Sequence, residues 1–504
     1  MKNLKFFPLA AALLASAFLF SCNEDDDMPM MDSPEMTPEV NFTALAEGNL
    51  LLYFEGGNLS TPSKTVNITG LASGESIISV DYRPATGQLY GLSSGSRIYF
   101  INENSGAATA LGAAAFSPAV EGDRASIDFN PTVDRLRLVT ESGQNLRLHP
   151  ETGVVVATDG RINGGTSPKI GAVAYTNSMS GATSTVLFDI DLSSDKLYQQ
   201  VPPNDGGLVE VGDLGIDMEG SVDLDILPDN SLALAVNRSD MDTRLYSIDL
   251  ASGKATWVGV FSQPVISLAF KTNPIAYAAD AGGMFYRFNP TSSQSTSVAF
   301  QGLATGEKIV GLDYRPANGQ LLAISSRSQL YAVNPSNGML TAIGSPLAPL
   351  MEGDIAGFDF NPTVDRIRLV TSTGQNLRLH PDLGTVVATD GRLNPGTPMV
   401  SAAAYANNIA GAATTTLFVI DHFTGTLFTQ IPPNDGVLVP VGSLGLSISS
   451  QNGFDIGGTS GSAFAVLNSG TAAGVYGINL TTGAATKISD LNFSPVAMTV
   501  GLGF

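Results

Sequence analysis

Apolar and polar residues alternate along most of the chain, in short runs separated by turns that contain glycine. The clearest examples are YFINENSGAATAL from Tyr99, YSIDLASGKATWV from Tyr246, YAVNPSNGMLTAI from Tyr331 and YGINLTTGAATKI from Tyr476. Alternation with a period of two is typical of half-buried β-strands, and glycine supplies the positive φ of a tight hairpin. No segment of helical length has a 3.6-residue apolar period. The pattern therefore predicts an all-β protein.

Long motifs occur twice along the chain. DFNPTVDRLRLVTESGQNLRLHP begins at Asp128, and DFNPTVDRIRLVTSTGQNLRLHP begins at Asp359, 231 residues later. DYRPATGQL returns as DYRPANGQL, and VPPNDG returns as IPPNDG. A repeat of this length predicts two copies of one unit, which we place at residues 41–272 and 273–504.

Each copy contains five smaller units of short strands. In the first copy, ISVDYRP, ASIDFNP, GAVAYTN, VDLDILP and VISLAF are the predicted inner strands. Four strands per unit, repeated radially, indicate a β-propeller. The fold class we predict is two tandem five-bladed propellers, closed by VISLAF and VAMTVGL; the alternative is one ten-bladed ring. The short loop 271–274 favours the single ring, whereas the usual four to eight blades favour two.

Residues 1–22 have the pattern of a bacterial lipoprotein signal peptide. Lys2 and Lys5 precede a continuous apolar stretch that is too short to span a membrane comfortably. Leu19-Phe20-Ser21-Cys22 resembles a lipobox, and Cys22 is the only cysteine of the chain. We therefore expect lipidation at Cys22 and export to the outer membrane, with membrane contact through the lipid alone.

Residues 23–40 have the composition of a spacer. They are rich in methionine, proline and acidic residues and show no periodicity, so we expect a disordered tether. The acidic run 24–27 resembles the surface-export signal of some Gram-negative lipoproteins, and a solvated tether is the alternative interpretation. We expect display on the cell surface.

The motifs DYRPATGQLY, DFNPTVDRIRLVT, GQNLRLHP and PPNDG resemble an uncharacterised bacterial family, domain of unknown function 4394. The resemblance covers residues 41–504 in two tandem copies. It implies a propeller-like fold and an exported location, and it supplies no catalytic residues to carry over, so function stays open.

The net charge and the missing catalytic motifs exclude several classes of function. The formal net charge of −21 offers no basic surface for nucleic acid. The sequence has no HExxH or Walker motif. We therefore expect a non-enzymatic binding or scaffold module, with an anionic glycan or a protein as ligand. The alternative is a propeller hydrolase or lactonase with a metal bound in its channel.

A basic cluster recurs in both copies. The hairpin DRLRLVTESGQNLRLHP places Arg137 opposite Arg147, and like charges directly opposite each other are unfavourable. Either carboxylates of a neighbouring blade or the nearby Asp134 and Asp365 compensate, or a bound anion such as a uronate or phosphate does. The predicted anion-binding residues are Arg135, Arg137, Arg147, His149, Arg366, Arg368, Arg378 and His380.

An aspartate occupies the same inner-strand position in three of the five units of each copy. Inner strands line the channel of a propeller, so these carboxylates can converge on Ca²⁺. The alternative is local, with each aspartate capping the turn that follows it. We predict no other cofactor. The candidate metal ligands are Asp81, Asp128, Asp225, Asp313, Asp359 and Asp455.

Overall fold

The computed structural model describes residues 38–292 and 294–504, so Cys22, the signal peptide and most of the predicted tether lie outside the described residues. Within them the chain forms forty β-strands and two 3₁₀ helices, at Pro203–Asp205 and Pro433–Asp435. None of the described helices is long or apolar enough to cross a bilayer. The strands form ten four-stranded antiparallel sheets, which confirms the all-β prediction.

The strands of the first half are β1 (Phe42–Ala46), β2 (Leu50–Phe54), β3 (Lys64–Asn67), β4 (Ile77–Tyr82), β5 (Leu89–Ser93), β6 (Ile98–Ile101), β7 (Ala108–Ala110), β8 (Ala125–Asn130), β9 (Arg135–Thr140), β10 (Asn145–Leu148), β11 (Val155–Thr158), β12 (Ile170–Tyr175), β13 (Leu187–Asp191), β14 (Lys196–Gln200), β15 (Leu208–Asp213), β16 (Ser221–Ile226), β17 (Ala233–Arg238), β18 (Thr243–Ile248), β19 (Ala255–Val260) and β20 (Val265–Ala269).

The strands of the second half are β21 (Ala276–Asp280), β22 (Met284–Phe288), β23 (Ser295–Ala299), β24 (Ile309–Arg315), β25 (Gln320–Ser325), β26 (Leu330–Val333), β27 (Leu340–Ile343), β28 (Ala356–Asn361), β29 (Arg366–Thr371), β30 (Asn376–His380), β31 (Thr385–Thr389), β32 (Val400–Tyr405), β33 (Leu417–Asp421), β34 (Thr426–Gln430), β35 (Leu438–Ser443), β36 (Asn452–Ile456), β37 (Ala463–Ser469), β38 (Ala472–Ile478), β39 (Ala485–Leu491) and β40 (Pro495–Val500).

Eight of the ten sheets are simple meanders, and the remaining sheet of each half contains that half's last strand. In the first half, β20 pairs antiparallel with β1, with Ala44 opposite Leu268. In the second half, β40 pairs with β21, with Ala278 opposite Met498. The last strand of each half therefore covers an edge that its first strands would otherwise leave open.

The innermost strands of each half contact one another in succession. In the first half these inner strands are β4, β8, β12, β16 and β20, and β20 contacts β4 in turn. In the second half they are β24, β28, β32, β36 and β40, and β40 contacts β24. Side chains at equivalent positions of the five strands are thereby brought towards a common centre.

The hydrophobic core lies between neighbouring sheets. Between the second and third sheets of the first half, for example, Tyr90 and Leu92 pack with Phe129 and Leu138, all of them almost completely buried. The rings of Tyr90 and Phe129 meet edge to face, with centroids 5.0 Å apart. Burying each large apolar side chain stabilises the fold by about 1.5–3 kcal/mol, so every pair of adjacent sheets is held by its own apolar layer.

The hairpin glycines have the conformation that the sequence pattern predicts. In the hairpin from Tyr99, Asn102 Oδ1 accepts hydrogen bonds from the amides of Asn104 and Ser105, and Gly106 has a φ of 74°. A Cβ on Gly106 would lie 1.9 Å from the carbonyl oxygen of Asn67. Glycine is therefore required here both for the turn and for the close approach of the neighbouring strand connection.

Candidate cation site at the inner strands

Three aspartates meet at the inner strands of each half. In the first half, Asp81 on β4, Asp128 on β8 and Asp225 on β16 are buried, and one ligand oxygen from each lies within 4.8 Å of the others. We call this group the first-half aspartate cluster. The second-half aspartate cluster, with the same spacing and burial, consists of Asp313, Asp359 and Asp455. The structure thus brings together all six residues predicted as metal ligands, three in each half.

The aspartates also join neighbouring inner strands through hydrogen bonds. Asp81 Oδ1 accepts from the amide of Tyr82, and its Oδ2 accepts from the amide of Phe129 on β8, both at 2.7 Å. Asp225 Oδ2 accepts from the amide of Phe270, at the end of β20, at 2.6 Å. These bonds satisfy N–H groups of β4 and β8 and of the residue that follows β20. The amides lie on or beside strands, whereas the local interpretation expected amides of the following turns.

The remaining inner strands carry small residues at the aspartate position. The first half has Ala174 and Ala269 there, whereas the second half has Ala404 and Thr499. Thr499 Oγ1 lies 2.8 Å from Asp455 Oδ2 and 3.1 Å from Asp313 Oδ1. The second-half cluster therefore has a hydroxyl donor that the first-half cluster lacks.

Burial raises the pKa of the clustered carboxyls. The pKa values of Asp81 and Asp128 lie well above their usual range because of burial and then because of repulsion from neighbouring aspartates. Burial also raises the pKa of Asp225 to about 7 and that of Asp455 to about 6, although backbone hydrogen bonds oppose it. Each cluster must hold either protons or a cation at neutral pH.

No arginine or lysine in the described ranges forms an ion pair with either cluster. In the first half, Asp128 Oδ1 is buried and has no well-formed hydrogen bond among the described residues, although the Tyr175 amide is near enough to oppose the rise in the pKa of this carboxyl. An unpaired buried acceptor costs about 1–3 kcal/mol. Carboxylate oxygens without a cationic side chain are a donor set that suits a hard cation such as Ca²⁺.

A second layer of polar groups lies beside the first-half cluster. Two residues before the aspartate position, the inner strands of this half carry Ser79, Ser126, Ala172, Asp223 and Ser267. Ser126 Oγ donates to Asp223 Oδ1 at 2.9 Å, and Ser267 Oγ donates to Asp223 Oδ2. Burial raises the pKa of Asp223 to about 7, although the two serine hydroxyls oppose it. The first half therefore places a fourth buried carboxyl near its cluster.

The second half has no polar side chain in the equivalent layer. The corresponding residues are Gly311, Gly357, Ala402, Gly453 and Ala497. A cavity of about 10 Å³ remains beside them, roughly the space of one water molecule. A Cβ on Gly357 would lie 2.6 Å from Ala403 Cβ, and one on Gly453 would lie 2.4 Å from the amide nitrogen of Met498. Glycine is thus needed for the close approach of these strands.

The predicted arginine pairs are bridged by a carboxylate of the chain itself. Arg137 on β9 lies opposite Arg147 on β10, and Asp159 Oδ2 accepts from Arg137 Nη1 at 2.7 Å and from Arg147 Nε at 2.8 Å. The Arg137 guanidinium also donates to Asn145 and Asn204. In the second half, Asp390 bridges Arg368 and Arg378 in the same way. Charge compensation here comes from the end of the outer strand of the same sheet.

The other predicted anion ligands have separate contacts. Arg135 Nη1 donates to the carbonyl of Asp134, and His149 Nδ1 accepts from the amide of Glu151. Burial and the nearby Arg135 lower the pKa of His149 to about 4, so its imidazole is neutral at pH 7. The corresponding second-half residues, Arg366 and His380, make the same kinds of contact. The eight residues therefore do not converge on one site.

Two buried charges were not apparent from the sequence pattern. Arg83, from the DYRP motif, is fully buried and donates to Asp134 in the next sheet and to the carbonyl of Gly319 in the second half. The sequence feature that could have predicted the Arg83–Asp134 pair is the joint recurrence of the motifs DYRP and PTVDR in both copies. The equivalent second-half pair is Arg315 and Asp365.

The second unforeseen charge is Asp189 on β13, whose buried carboxylate accepts no hydrogen bond from the described residues at either oxygen. Burial raises its pKa well above the usual range, although Arg137 opposes the shift. The equivalent residue of the second half is Val419, so this polar group belongs to the first half alone.

A cleft lies between the halves. Two adjoining cavities of about 250 and 260 Å³ share Glu103 and Thr459. The buried Glu103 carboxylate accepts from the hydroxyl of Tyr82 at 2.7 Å and from Lys271 Nζ at 3.0 Å. Polar groups from both halves therefore face the same concave surface.

The fold and the clusters define a class of tandem all-β proteins in which each half gathers buried aspartates at its inner strands. The chain belongs to the family described as domain of unknown function (DUF4394), whose model matches residues 50–269 and 284–501. Both the resemblance seen in the motifs and the duplication are thereby confirmed.

No curated protein matches the chain. Among solved structures, a similar one is that of PorZ, a bacterial surface component of the type-IX secretion system of Porphyromonas gingivalis. The two are 13% identical with a TM-score of 0.27, and the match covers 90% of this chain and 60% of the PorZ chain. The chain thus spans less than two thirds of the length of PorZ, and a likeness at this level assigns neither fold nor function.

Proposed function

We propose that this protein is an exported lipoprotein in which two five-bladed β-propellers form a rigid, non-enzymatic binding or scaffold module at the outer membrane. Support for the two propellers comes from the closed succession of inner-strand contacts in each half. A ring of ten blades would need β20 to continue to β24, whereas it contacts β4. The five-bladed arrangement therefore accounts for the contacts of both closing strands.

The observation that carries the proposal is that the buried arginines are paired with carboxylates of the chain itself. Arg83 and Arg137 are held by Asp134 and Asp159, and the clustered aspartates bind amides of neighbouring strands. Buried groups that are paired within the chain in this way stabilise the fold and hold its sheets rigidly together. The exposed concave surface between the halves, lined by Glu103 and Thr459, is then the place where a ligand binds, an anionic glycan or a protein segment.

The anchor is tested by acyl labelling of the full chain in a Gram-negative host. The wild-type chain should incorporate labelled fatty acid and sediment with membranes, whereas Cys22→Ala should do neither. Protease added to intact cells should degrade the wild-type chain, and Asp25→Ala/Asp26→Ala should reduce that exposure. Labelling that persists in Cys22→Ala would remove the lipid anchor from the proposal, and full protection from protease would remove surface display.

A second candidate function is a metal-dependent hydrolase or lactonase. The convergence of three carboxylates in each half favours it, because such groups can bind a metal that polarises a substrate carbonyl. Incubation with lactone and ester panels, with and without Ca²⁺, tests this candidate. Turnover that disappears in Asp128→Asn would replace the non-enzymatic proposal.

A further inference from the structure

We propose that the first-half aspartate cluster binds one calcium ion and that the second-half cluster does not. The ligand oxygens of Asp81, Asp128 and Asp225 lie within 4.8 Å of one another. Three oxygens at that limit lie about 2.8 Å from their common centre, and a calcium–oxygen bond is about 2.3–2.6 Å long. One calcium ion can therefore contact all three carboxylates after a small inward shift of the side chains, without separating the inner strands.

An unused acceptor marks the first half in particular. Asp128 is only 2% exposed, and its Oδ1 accepts no hydrogen bond within the described part of the chain. The amide of Tyr175 is near this carboxyl but makes no well-formed hydrogen bond to Oδ1, so protein groups leave the oxygen incompletely satisfied. A cation among the three carboxylates supplies the missing partner and compensates their charge at the same time.

The neighbouring layer adds negative charge to the first half. Asp223 lies two residues before Asp225 on β16, so its side chain leaves the strand on the same face. Its carboxylate is held by the hydroxyls of Ser126 and Ser267. With Asp223 included, four buried carboxyls of this half have no arginine or lysine partner among the described ion pairs.

The second half satisfies its carboxylates with donors of the chain. Thr499 Oγ1 lies within hydrogen-bond distance of Asp313 and Asp455, while the first half has Ala269 at this position. Asp455 Oδ2 also accepts from the amide of Val500. The adjacent layer of this half contains glycine and alanine rather than a fourth carboxyl. The second-half cluster therefore has less uncompensated negative charge for a cation to bind.

The test measures metal content and stability of the purified full chain. Because the cluster is buried, the ion must enter during folding, so the chain is unfolded in guanidinium with EGTA and refolded with either Ca²⁺, Mg²⁺ or EGTA. We expect one calcium per chain after gel filtration, and a higher melting temperature in Ca²⁺ than in Mg²⁺ or EGTA. Calcium at background level, or equal melting temperatures in Ca²⁺ and EGTA, would overturn the proposal.

Matched variants locate the ion. Asp128→Asn keeps the side-chain shape and should weaken calcium binding by more than the roughly 10–100-fold that loss of an outer-shell partner costs, since a direct charged ligand is lost. Asp359→Asn is the same change in the second half and should leave the calcium content at one per chain. Two calcium ions in the wild type, with one lost in Asp359→Asn, would overturn the distinction between the halves.

Stability separates a bound ion from bound protons. If the cluster holds only protons, Asp128→Asn should melt at the same temperature as the wild type or higher, in Ca²⁺ and in EGTA alike, and that result would count against the ion. With a bound ion, the variant should lose the Ca²⁺-dependent rise in melting temperature. This readout is independent of the lipid anchor and of any ligand in the cleft, so either proposal can fail alone.

Discussion

The two halves of the molecule share a sheet order and an aspartate position, but they fill the space next to the aspartates in different ways. The first half uses Ser126 and Ser267, whose hydroxyls hold Asp223. The second half uses Gly357 and Gly453, which leave no room for a Cβ. Inner strands can therefore be brought together either by a buried polar network or by removing side chains.

Interactions that occur in both halves are those that hold the five-sheet unit together, and we call their residues frame residues. The pairs of Arg83 with Asp134 and of Arg315 with Asp365 are of this kind. Features that occur in one half only, such as Asp189 and Asp223, are not needed to build the five-sheet unit. The comparison therefore separates residues that hold the fold from residues that are free to acquire a separate role.

The largest expected effect concerns a frame residue. Arg137→Ala should lower the free energy of unfolding by about 3–5 kcal/mol, because it removes a buried partner of Asp159 and leaves Asn145 and Asn204 with unpaired acceptors. Denaturant unfolding measures the loss. Arg368→Ala, in the second half, should cost about as much.

Arg147→Ala is the matched variant for this prediction. Arg147 binds the same carboxylate as Arg137, but its side chain is 31% exposed. Its removal should cost only about 0–1 kcal/mol. If both arginines cost the same, burial is not what distinguishes them, and the frame role assigned to Arg137 is wrong.

The second prediction concerns a variant in which a glycine of the second-half inner strands is replaced by the polar residue that the first half has at the same position. Gly357→Ser gives the second half the residue that the first half has at Ser126. Its Cβ would lie 2.6 Å from Ala403 Cβ, so we expect a loss of about 1–3 kcal/mol in denaturant unfolding. Ser126→Ala should cost about 1 kcal/mol through the lost hydrogen bond to Asp223. A Gly357→Ser protein as stable as the wild type would show that the strands can separate freely.

The sequence was informative wherever a pattern repeats locally. Hairpins flanked by alternating apolar residues predicted the strands, and the 231-residue repeat predicted two copies. The shared inner-strand position of Asp81, Asp128 and Asp225 predicted their convergence. These features follow from periods of two and from equivalent positions in repeated units.

Partners from distant sheets could not be predicted in this way. The bond from Arg83 to the carbonyl of Gly319 joins residues 236 positions apart, and nothing in either local pattern specifies it. The facing pair of Arg137 and Arg147 was predicted to need a negative partner. Which carboxylate supplies it, Asp159, depends on where the outer strand β11 ends. The unpaired carboxylate of Asp189 likewise follows from packing between sheets, because its strand LFDID alternates like its counterpart LFVID.

The smallest expected effect is a gain of stability when Asp189 of the first half is replaced by valine, the residue at the equivalent position of the second half. Asp189→Val places the residue found at Val419 in a buried site where the carboxylate has no hydrogen bond within the described structure. Valine has a similar volume and needs no partner, so the free energy of unfolding should rise by about 1 kcal/mol at pH 7. Val419→Asp is the reverse change and should destabilise the second half. A loss of stability in Asp189→Val would show that this carboxylate has a partner or a role of its own.

The pH dependence of that gain provides the sharper test. Burial raises the pKa of Asp189 in the folded state well above its unfolded value of about 3.9. The folded chain therefore binds the proton more tightly, and this group makes the protein less stable as the pH rises from about 4 towards the folded pKa. Asp189→Val removes that slope, while the other buried carboxyls contribute equally to both proteins. The difference in melting temperature between variant and wild type should consequently widen from about pH 5 to about pH 8. A constant difference would mean that Asp189 carries the same charge in the folded and unfolded chains, and that Arg137, whose charge opposes the rise in pKa, offsets the cost of burial.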